Sequence, residues 1–527
     1  FQVFDERHPQ EIKLFEEIKT SAQTPQTSIH SSKDEFNNYV NTKSDEPQRL
    51  TIIVFDLINM PTLKQSSAKK ALLDFLADAA STSEPTAVYS ISQKGVSVIS
   101  DFTTSPKVLA QALQSLKFGT QMKVAGVEPT EHEWLMGGSR SAVGPDLMSN
   151  VQMGVSDEMK GATIRYALEQ FTSQLQLNMS SMERRYTVTY TLEGMHQIAQ
   201  ACAAIPGRKA LLWITGGFPF DINPTDMMLY PADQPTYPSA RSGLEEVRPL
   251  YSRLWRDLND AQVSVYPIDV RGMVNPTLMD PSIRNTGGID PGSRYERSLL
   301  TQHRQTIDTD QTFAHATGGK PFYGSNDLKA AFVNATRDSS SYYLIGYYIK
   351  PENATKIQWH SIEVKSPRKG IEIRARGGYF YRPNNADLQQ NRQQDLSAGL
   401  LSPIDFTAIP LMIRWKQFPS GHSEAQKVGF EVVMPANFAE INEADSNHLI
   451  SDIIVQPKKL DGTPVGQPLS RTMDAHLNPT QVQQLKEHGL TYVSSLELPK
   501  GEYAVRFVVR DGLNGHMGSV TALLKIE

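Results

Sequence analysis

Three short stretches are apolar almost without interruption, and they set the expectation for the rest of the chain. Ile52–Phe55 lies inside LTIIVFDLINM (50–60), KALLWIT covers Lys209–Thr215, and VSVYPIDV covers Val263–Val270. An apolar run too short for a helix is what a strand buried on both faces of a parallel sheet looks like. Between these runs the period changes. Leu63, Ala68, Ala71, Leu72, Phe75 and Leu76 give helical spacing over 62–80, and helices are expected at 105–116, 157–177, 191–204, 243–261, 299–317 and 325–339. Ala87–Ile91 and Val96–Phe102 read as two strands joined around Gln93-Lys94-Gly95, and further strands are expected at 320–323, 342–349, 358–365 and 371–381. Strands alternating with helices predict an α/β fold, a doubly wound, mostly parallel Rossmann-like sheet with helices on both faces.

The flanks have other patterns. Phe1 and Val3 alternate with polar residues, turn formers follow at 5–9, and Ile12 and Leu14 alternate again, which is a hairpin signal. A hairpin alone is marginal. Its partners are expected in strands upstream, in the C-terminal region or in another chain. Residues 21–48 and 383–403 are polar and read as linkers. From Ile404 onward strands dominate, which predicts an all-β sandwich over 404–527. In it, Leu498-Pro499-Lys500-Gly501-Glu502-Tyr503-Ala504-Val505 resembles the tyrosine corner of immunoglobulin-like sandwiches.

Composition narrows the function classes. The 527 residues suggest several domains. Lys+Arg 52 against Asp+Glu 57 leaves a net charge of -5 with no basic stripe, so nucleic acid is not an expected partner. No apolar run approaches the ~18 residues needed to span a bilayer. The single cysteine, Cys202, cannot form an intramolecular disulfide and reads as a core residue. There is no phosphate loop, no Gly-x-Ser-x-Gly and no His-Glu-x-x-His, so the chain is not expected to be an enzyme.

Candidate chemistry gathers at the carboxyl ends of the predicted parallel strands, where ligands sit in open α/β sheets. Asp56 ends the first run. Asp269 ends the third and has Arg271 beside it. Long irregular segments at 216–242 and 271–297 follow two of the runs, and a third lies at 117–156. Loops this long in a compact domain are usually functional or disordered. Asp101-Phe102-Thr103-Thr104-Ser105 fits an Asp-x-Thr-x-Ser pattern but follows an edge hairpin, so Thr103 to Ser105 are expected to start a helix. Glu131-His132-Glu133 reads as a solvated charge cluster, and the aromatic and proline run Tyr230 to Tyr237 as a partner contact or a self-packed loop.

Several phrases together resemble the von Willebrand factor A-related proteins of acidobacterial type: FQVFDERHPQEIKLF, FDLIN, VSVISDFT, IPGRKALLWITGGFP, VYPIDVRG, ATGGKPFYGSNDL, SYYLIGYY, HSIEVK and ARGGYFY, with GEYAVRFVVRDGLNGHMGSV near the end. The resemblance implies a hairpin remnant of an N-terminal β module at 1–20, a von Willebrand A-like domain at 49–382 with long loop insertions, and an immunoglobulin-like sandwich at 404–527. It implies a secreted, periplasmic or cell-surface protein, with an export signal expected upstream of Phe1. It also implies a protein partner or self-association, with a homo-oligomer expected. Domains of this kind often hold a divalent cation through Asp-x-Ser-x-Ser, a threonine from a second loop and a later Asp. Here Asp56 matches, Ile58 and Met60 replace the serines, and Gly216 stands where the later Asp is expected. Thr187, Thr189 or Thr191 supplies the threonine. The expected partner-binding residues are Asp56, Asn59 and Thr215. No cofactor is expected; a loosely held Mg or Ca would use Asp56, Asn59 and Thr191. The function expected is non-enzymatic protein binding or self-assembly through the loop-rich carboxyl-end face. A metal-dependent adhesin with a cation at Asp56 is the alternative, and an unrecognised hydrolase a remote one.

Overall fold

A computed structural model of the protein describes residues 1–19, 26–27, 35–38, 40–41, 50–78, 85–116, 186–218, 250–273, 304, 306–339, 341–349, 358–381, 388–417, 425–436 and 438–526. The expected helix at 157–177, His132, Tyr230 to Tyr237 and most of the three long irregular segments lie outside these residues.

The three apolar runs are strands. Every residue of Leu50–Asp56, Lys209–Thr215 and Val263–Asp269 is buried. In one five-stranded sheet the order is Val263–Asp269, Lys209–Thr215, Leu50–Asp56, Thr86–Ser92, Gly95–Thr103. The first four run parallel and the last is antiparallel. Side chains alternate between faces. On one face Ile52, Val54, Leu211, Trp213 and Val265 meet Leu192, Met195, Ile198, Trp255 and Phe313. On the other, Ile53, Phe55, Leu212, Ile214 and Ile268 meet Leu72, Phe75, Leu76, Leu113 and Phe332. Full burial of one such side chain contributes about 1.5–3 kcal/mol, so packing on both faces fixes where Asp56 ends its strand.

The expected fold class is corrected by the rest of the chain. Of six sheets among the described residues, five are wholly antiparallel and only this one is mixed. The protein is β-rich, and a doubly wound α/β fold followed by one immunoglobulin-like sandwich does not describe it. The physical reason lies in the short, half-polar segments, which carry little periodic signal and pair with partners far away in sequence.

The N-terminal hairpin is the clearest case. Gln2–Asp5 pairs with His8–Gln10 on one side and with Gln358–Lys365 on the other. Glu6 and Arg7 take φ of 47° and 66° in the two-residue turn, the left-handed geometry that matches strand twist. The partner of the hairpin is therefore a strand of the same chain. The buried Asp5 carboxylate accepts from the hydroxyls of Tyr379 at 2.8 Å and Tyr347 at 3.1 Å, which pins the strand in place. Leu14–Lys19 then pairs with Ser341–Gly346 in a two-stranded ribbon.

Both segments read as linkers carry structure. Glu35–Asn37 pairs with the strand Met412–Gln417, and Phe36 enters the C-terminal core. The Asn38 amide donates to the carbonyls of Phe406 at 2.6 Å and Ile409 at 2.9 Å, while its oxygen accepts from Leu411 N at 2.7 Å. Residues Leu388–Leu401 form a helix. Beyond it, two four-stranded antiparallel sheets enclose a common core that includes Phe430, Val455, Val505 and Phe507. The Tyr503 hydroxyl donates to the Pro499 carbonyl at 2.9 Å, the corner contact its sequence suggests. Among the described residues no helix is long and apolar enough to cross a membrane.

Candidate functional site

Asp56, Asn59, Thr191 and Thr215 meet at the carboxyl end of the parallel strands, and all four are buried. Asp56 is the last residue of its strand, and a tight turn follows in which Met60 N donates to the Asp56 carbonyl at 3.0 Å. That turn brings Asn59 back over the Asp56 side chain. The Asp56 carboxylate accepts from Asn59 N at 3.1 Å, Asn59 Nδ2 at 2.6 Å, Trp213 Nε1 at 3.0 Å and Thr215 Oγ1 at 3.1 Å. Asn59 Nδ2 also donates to Thr191 Oγ1 at 2.9 Å. Thr191, rather than Thr187 or Thr189, is thus the threonine that reaches the site. It projects from the helical segment 186–201.

The amide nitrogen of Asn59 sits between Asp56 Oδ2 and Thr191 Oγ1, where a hard cation shared by those two oxygens would have to sit. Its two N–H groups already supply the positive end. A cation needs inward-facing oxygens, and an indole N–H and an amide NH2 face inward instead. The other positions of the metal pattern are filled by packing. Ile58 and Met60 are buried in the cores on the two sides of the sheet. At Gly216 an added Cβ would lie 2.4 Å from both Asn59 O and Pro61 Cδ, so no side chain fits there. These residues do not fit a divalent ion. Among the described residues no group of three or more His, Cys, Asp or Glu is arranged to hold a metal.

Two strands along the sheet, the carboxylate that ends Val263–Asp269 is also held by an internal donor, here a cation. Arg271 folds back on Asp269, donating Nε to Oδ1 at 3.0 Å, Nη2 to Oδ2 at 2.8 Å and its backbone N to Oδ1 at 2.9 Å. Arg271 Nη1 also lies 3.4 Å from Thr306 Oγ1. A fork of this kind holds a carboxylate strongly.

Asp310 is a site residue that the sequence reading passed over. Both its carboxylate oxygens are buried and accept no hydrogen bond from any described residue. Burial pushes its carboxyl well above the usual range, the charges of Asp269 and Asp56 push it further, and Arg271 offsets them in part. Burial likewise raises Asp56, against the opposing pull of Asn59, Trp213 and Thr215. A signal for Asp310 does exist in the sequence. Thr306, Asp310, Phe313 and Thr317 fall on one helical face, and a polar residue sharing a face with a core aromatic is expected to point inward. Trp213 was also legible, since it alternates with Thr215 along its strand and so shares a face with it.

Cys202 is fully buried, and burial drives its thiol up to about 12. The Asp-x-Thr-x-Ser pattern at 101–105 closes on itself, with Thr103 Oγ1 accepting from Ser105 N at 3.1 Å ahead of the helix Pro106–Ser115.

No family model matches this chain, and no curated protein matches it. Among solved structures it is similar to proximal thread matrix protein 1 from the mussel byssus, at 10% identity over 55% of this chain, with a TM-score of 0.22. That likeness spans 47% of the byssus protein's chain. It is also similar to the three N-terminal domains of the type V pili tip protein Mfa5 from Porphyromonas gingivalis, at 10% identity over 97% of this chain and 96% of that one, with a TM-score of 0.27. Likenesses at these scores carry no argument about fold or function.

Proposed function

We propose that the chain is a non-enzymatic protein of the bacterial cell envelope or exterior that works by binding other protein surfaces, foremost a second copy of itself. The observation that carries this reading is the commitment of the Asp56 cluster to itself. Asp56 and Asp269 are held by internal donors, and the remaining carboxylate is out of contact with solvent. A general acid, base or nucleophile needs a free reactive atom within reach of a substrate, and this cluster offers none. Function then falls to the surface.

The surface feature that supports self-association is aromatic. Phe15 and Tyr343 stack at 5.5 Å on the two-stranded ribbon, and Phe1 joins them at 5.7 and 5.4 Å. All three are exposed, as are Leu14, Tyr348 and Ile349. Clustered exposed apolar residues mark interaction sites, and exposed strand edges invite pairing with a further strand. The phrase-level resemblance to von Willebrand factor A-related proteins supports the location outside the cytoplasm. Sedimentation velocity over a concentration series tests the reading. The wild type is expected to associate as concentration rises, and a variant carrying Phe15→Ser and Tyr343→Ser is expected to stay monomeric with its melting temperature unchanged. A wild type that stays monomeric at every concentration, or a double variant that associates equally, would refute it.

A further inference from the structure

A second charged cluster lies at the opposite, amino-terminal end of the parallel strands, where Arg208, Lys209, Gly318 and Arg376 come together. The Arg208 guanidinium donates to Gly318 O at 2.7 Å, to Ser264 Oγ at 2.8 Å and to Tyr266 OH at 3.3 Å. Its own backbone N donates to Tyr342 OH at 3.1 Å, which leaves the proton of that hydroxyl free to donate. Arg376 packs on the same glycine. A Cβ built on Gly318 would lie 3.3 Å from Arg376 N and 3.6 Å from its Cγ. The Arg208 guanidinium and the base of the Arg376 side chain therefore meet at Gly318, whose φ of 77° turns the chain between them.

The charges around this point do not balance. Among the described residues, the Arg208 guanidinium bonds only neutral acceptors. Lys209 is fully buried and its Nζ donates only to the carbonyls of Gly207 at 3.0 Å and Ala261 at 2.6 Å. Arg376 donates no hydrogen bond to any described residue, although it is half-buried. The nearby carboxylates are engaged elsewhere. Asp338 takes Arg374 and the Tyr266 hydroxyl, and Asp260 stands 3.8 Å from His516. Burial and the proximity of Arg208 lower Arg376 to about 10, with Asp260 opposing. Burial brings Lys209 to about 8, and Arg376 adds to that lowering. Like charges held together out of water cost stability unless something neutralises them.

We propose that Arg376 and Arg208 form a binding site for a phosphate group, with the Tyr342 hydroxyl as a third donor. A guanidinium fork matches the oxygens of phosphate bidentately. Three cations without a contacting carboxylate favour a dianion over a single carboxylate. The group is carried either by free phosphate or by a phosphomonoester, and the two are separated by which of the two probes binds.

The test is thermal unfolding and calorimetry of the full chain with inorganic phosphate and with glycerol 3-phosphate, at constant ionic strength in chloride. Phosphate in excess is expected to raise the melting temperature by about 2 °C or more. Arg376→Gln is expected to abolish that rise while melting no lower than the wild type in chloride alone, because it removes an unpaired charge. Arg376→Lys keeps the charge but loses the fork, and is expected to weaken phosphate binding at least tenfold. A response to phosphate alone assigns free phosphate; a response to both probes assigns a phosphomonoester. The proposal fails if neither probe shifts the wild type, if Arg376→Gln responds as the wild type does, or if Arg376→Gln melts lower than the wild type in chloride, which would make Arg376 a structural cation.

Discussion

At the scale of single residues, the Asp56 site is one in which the protein supplies its own donors. An amide NH2 stands between Asp56 and Thr191, and a guanidinium stands on Asp269. The substitution Asn59→Asp tests the first of these, since it exchanges a donor for a second carboxylate against Asp56. It is expected to destabilise the fold by about 3 kcal/mol or more, measured by urea unfolding. Mg2+ or Mn2+ is expected to recover part of that loss in the variant. Asp310 makes the opposite case. Its folded-state pKa is raised, so the folded chain keeps a proton that the unfolded chain loses near the usual carboxyl range. Stability is therefore lost as pH rises from that range through the raised value. Asp310→Asn does not titrate and is expected to be more stable than wild type at pH 7 by about 1–3 kcal/mol. That gain is expected to shrink as pH falls towards about 4. Cys202, with its thiol raised to about 12, is expected to resist thiol reagents at pH 8 until the protein is unfolded.

At the scale of elements, legibility followed burial. Strands buried on both faces declare themselves as apolar runs, and Leu50–Asp56, Lys209–Thr215 and Val263–Asp269 were readable for that reason. Gln2–Asp5 was legible as part of a hairpin and Glu35–Asn37 only as part of a linker, because a short strand's partner is set by tertiary contact and not by its own residues. An ionic chain between layers was equally hidden. Arg253, from the helical segment 250–260, lies 2.7 Å from Asp395 in the helix Leu388–Leu401. Asp395 also takes Arg510 Nε at 2.6 Å from the C-terminal sheet, and Arg392 of the same helix pairs with Asp452 there. On the other side His196 Nδ1 meets Asp257 at 2.5 Å, and Arg253 reaches His196 Nε2. Asp257 is held well below its ordinary range: burial alone would raise it, but Arg256, His196 and Arg253 outweigh that. No spacing along the chain announces contacts between residues so far apart. Asp395→Ala leaves two buried guanidinium groups without their shared carboxylate, and is expected to cost about 3–5 kcal/mol in urea unfolding.

At the scale of the whole molecule, distant parts of the sequence connect through returns of the chain. The N-terminal strand completes a sheet with Gln358–Lys365, and Glu35–Asn37 completes one with Met412–Gln417. Thr407 Oγ1 lies 3.1 Å from Ala201 O, which joins the C-terminal region to the helical segment 186–201 beside the central sheet. Asp56 and Asn59 were legible because they end and follow a buried strand, and Thr191 only as one of three threonines that the resemblance offered. Their chemistry was not, since the sequence lists a possible ligand set and only the packing reveals that Asn59 serves it from within. The most direct test of this account is calorimetric titration of the wild type with Mg2+, Mn2+ and Ca2+, with Asp56→Asn as the control. A site satisfied by its own side chains predicts no saturable heat with any of the three ions. Saturable binding to the wild type that Asp56→Asn abolishes would contradict it.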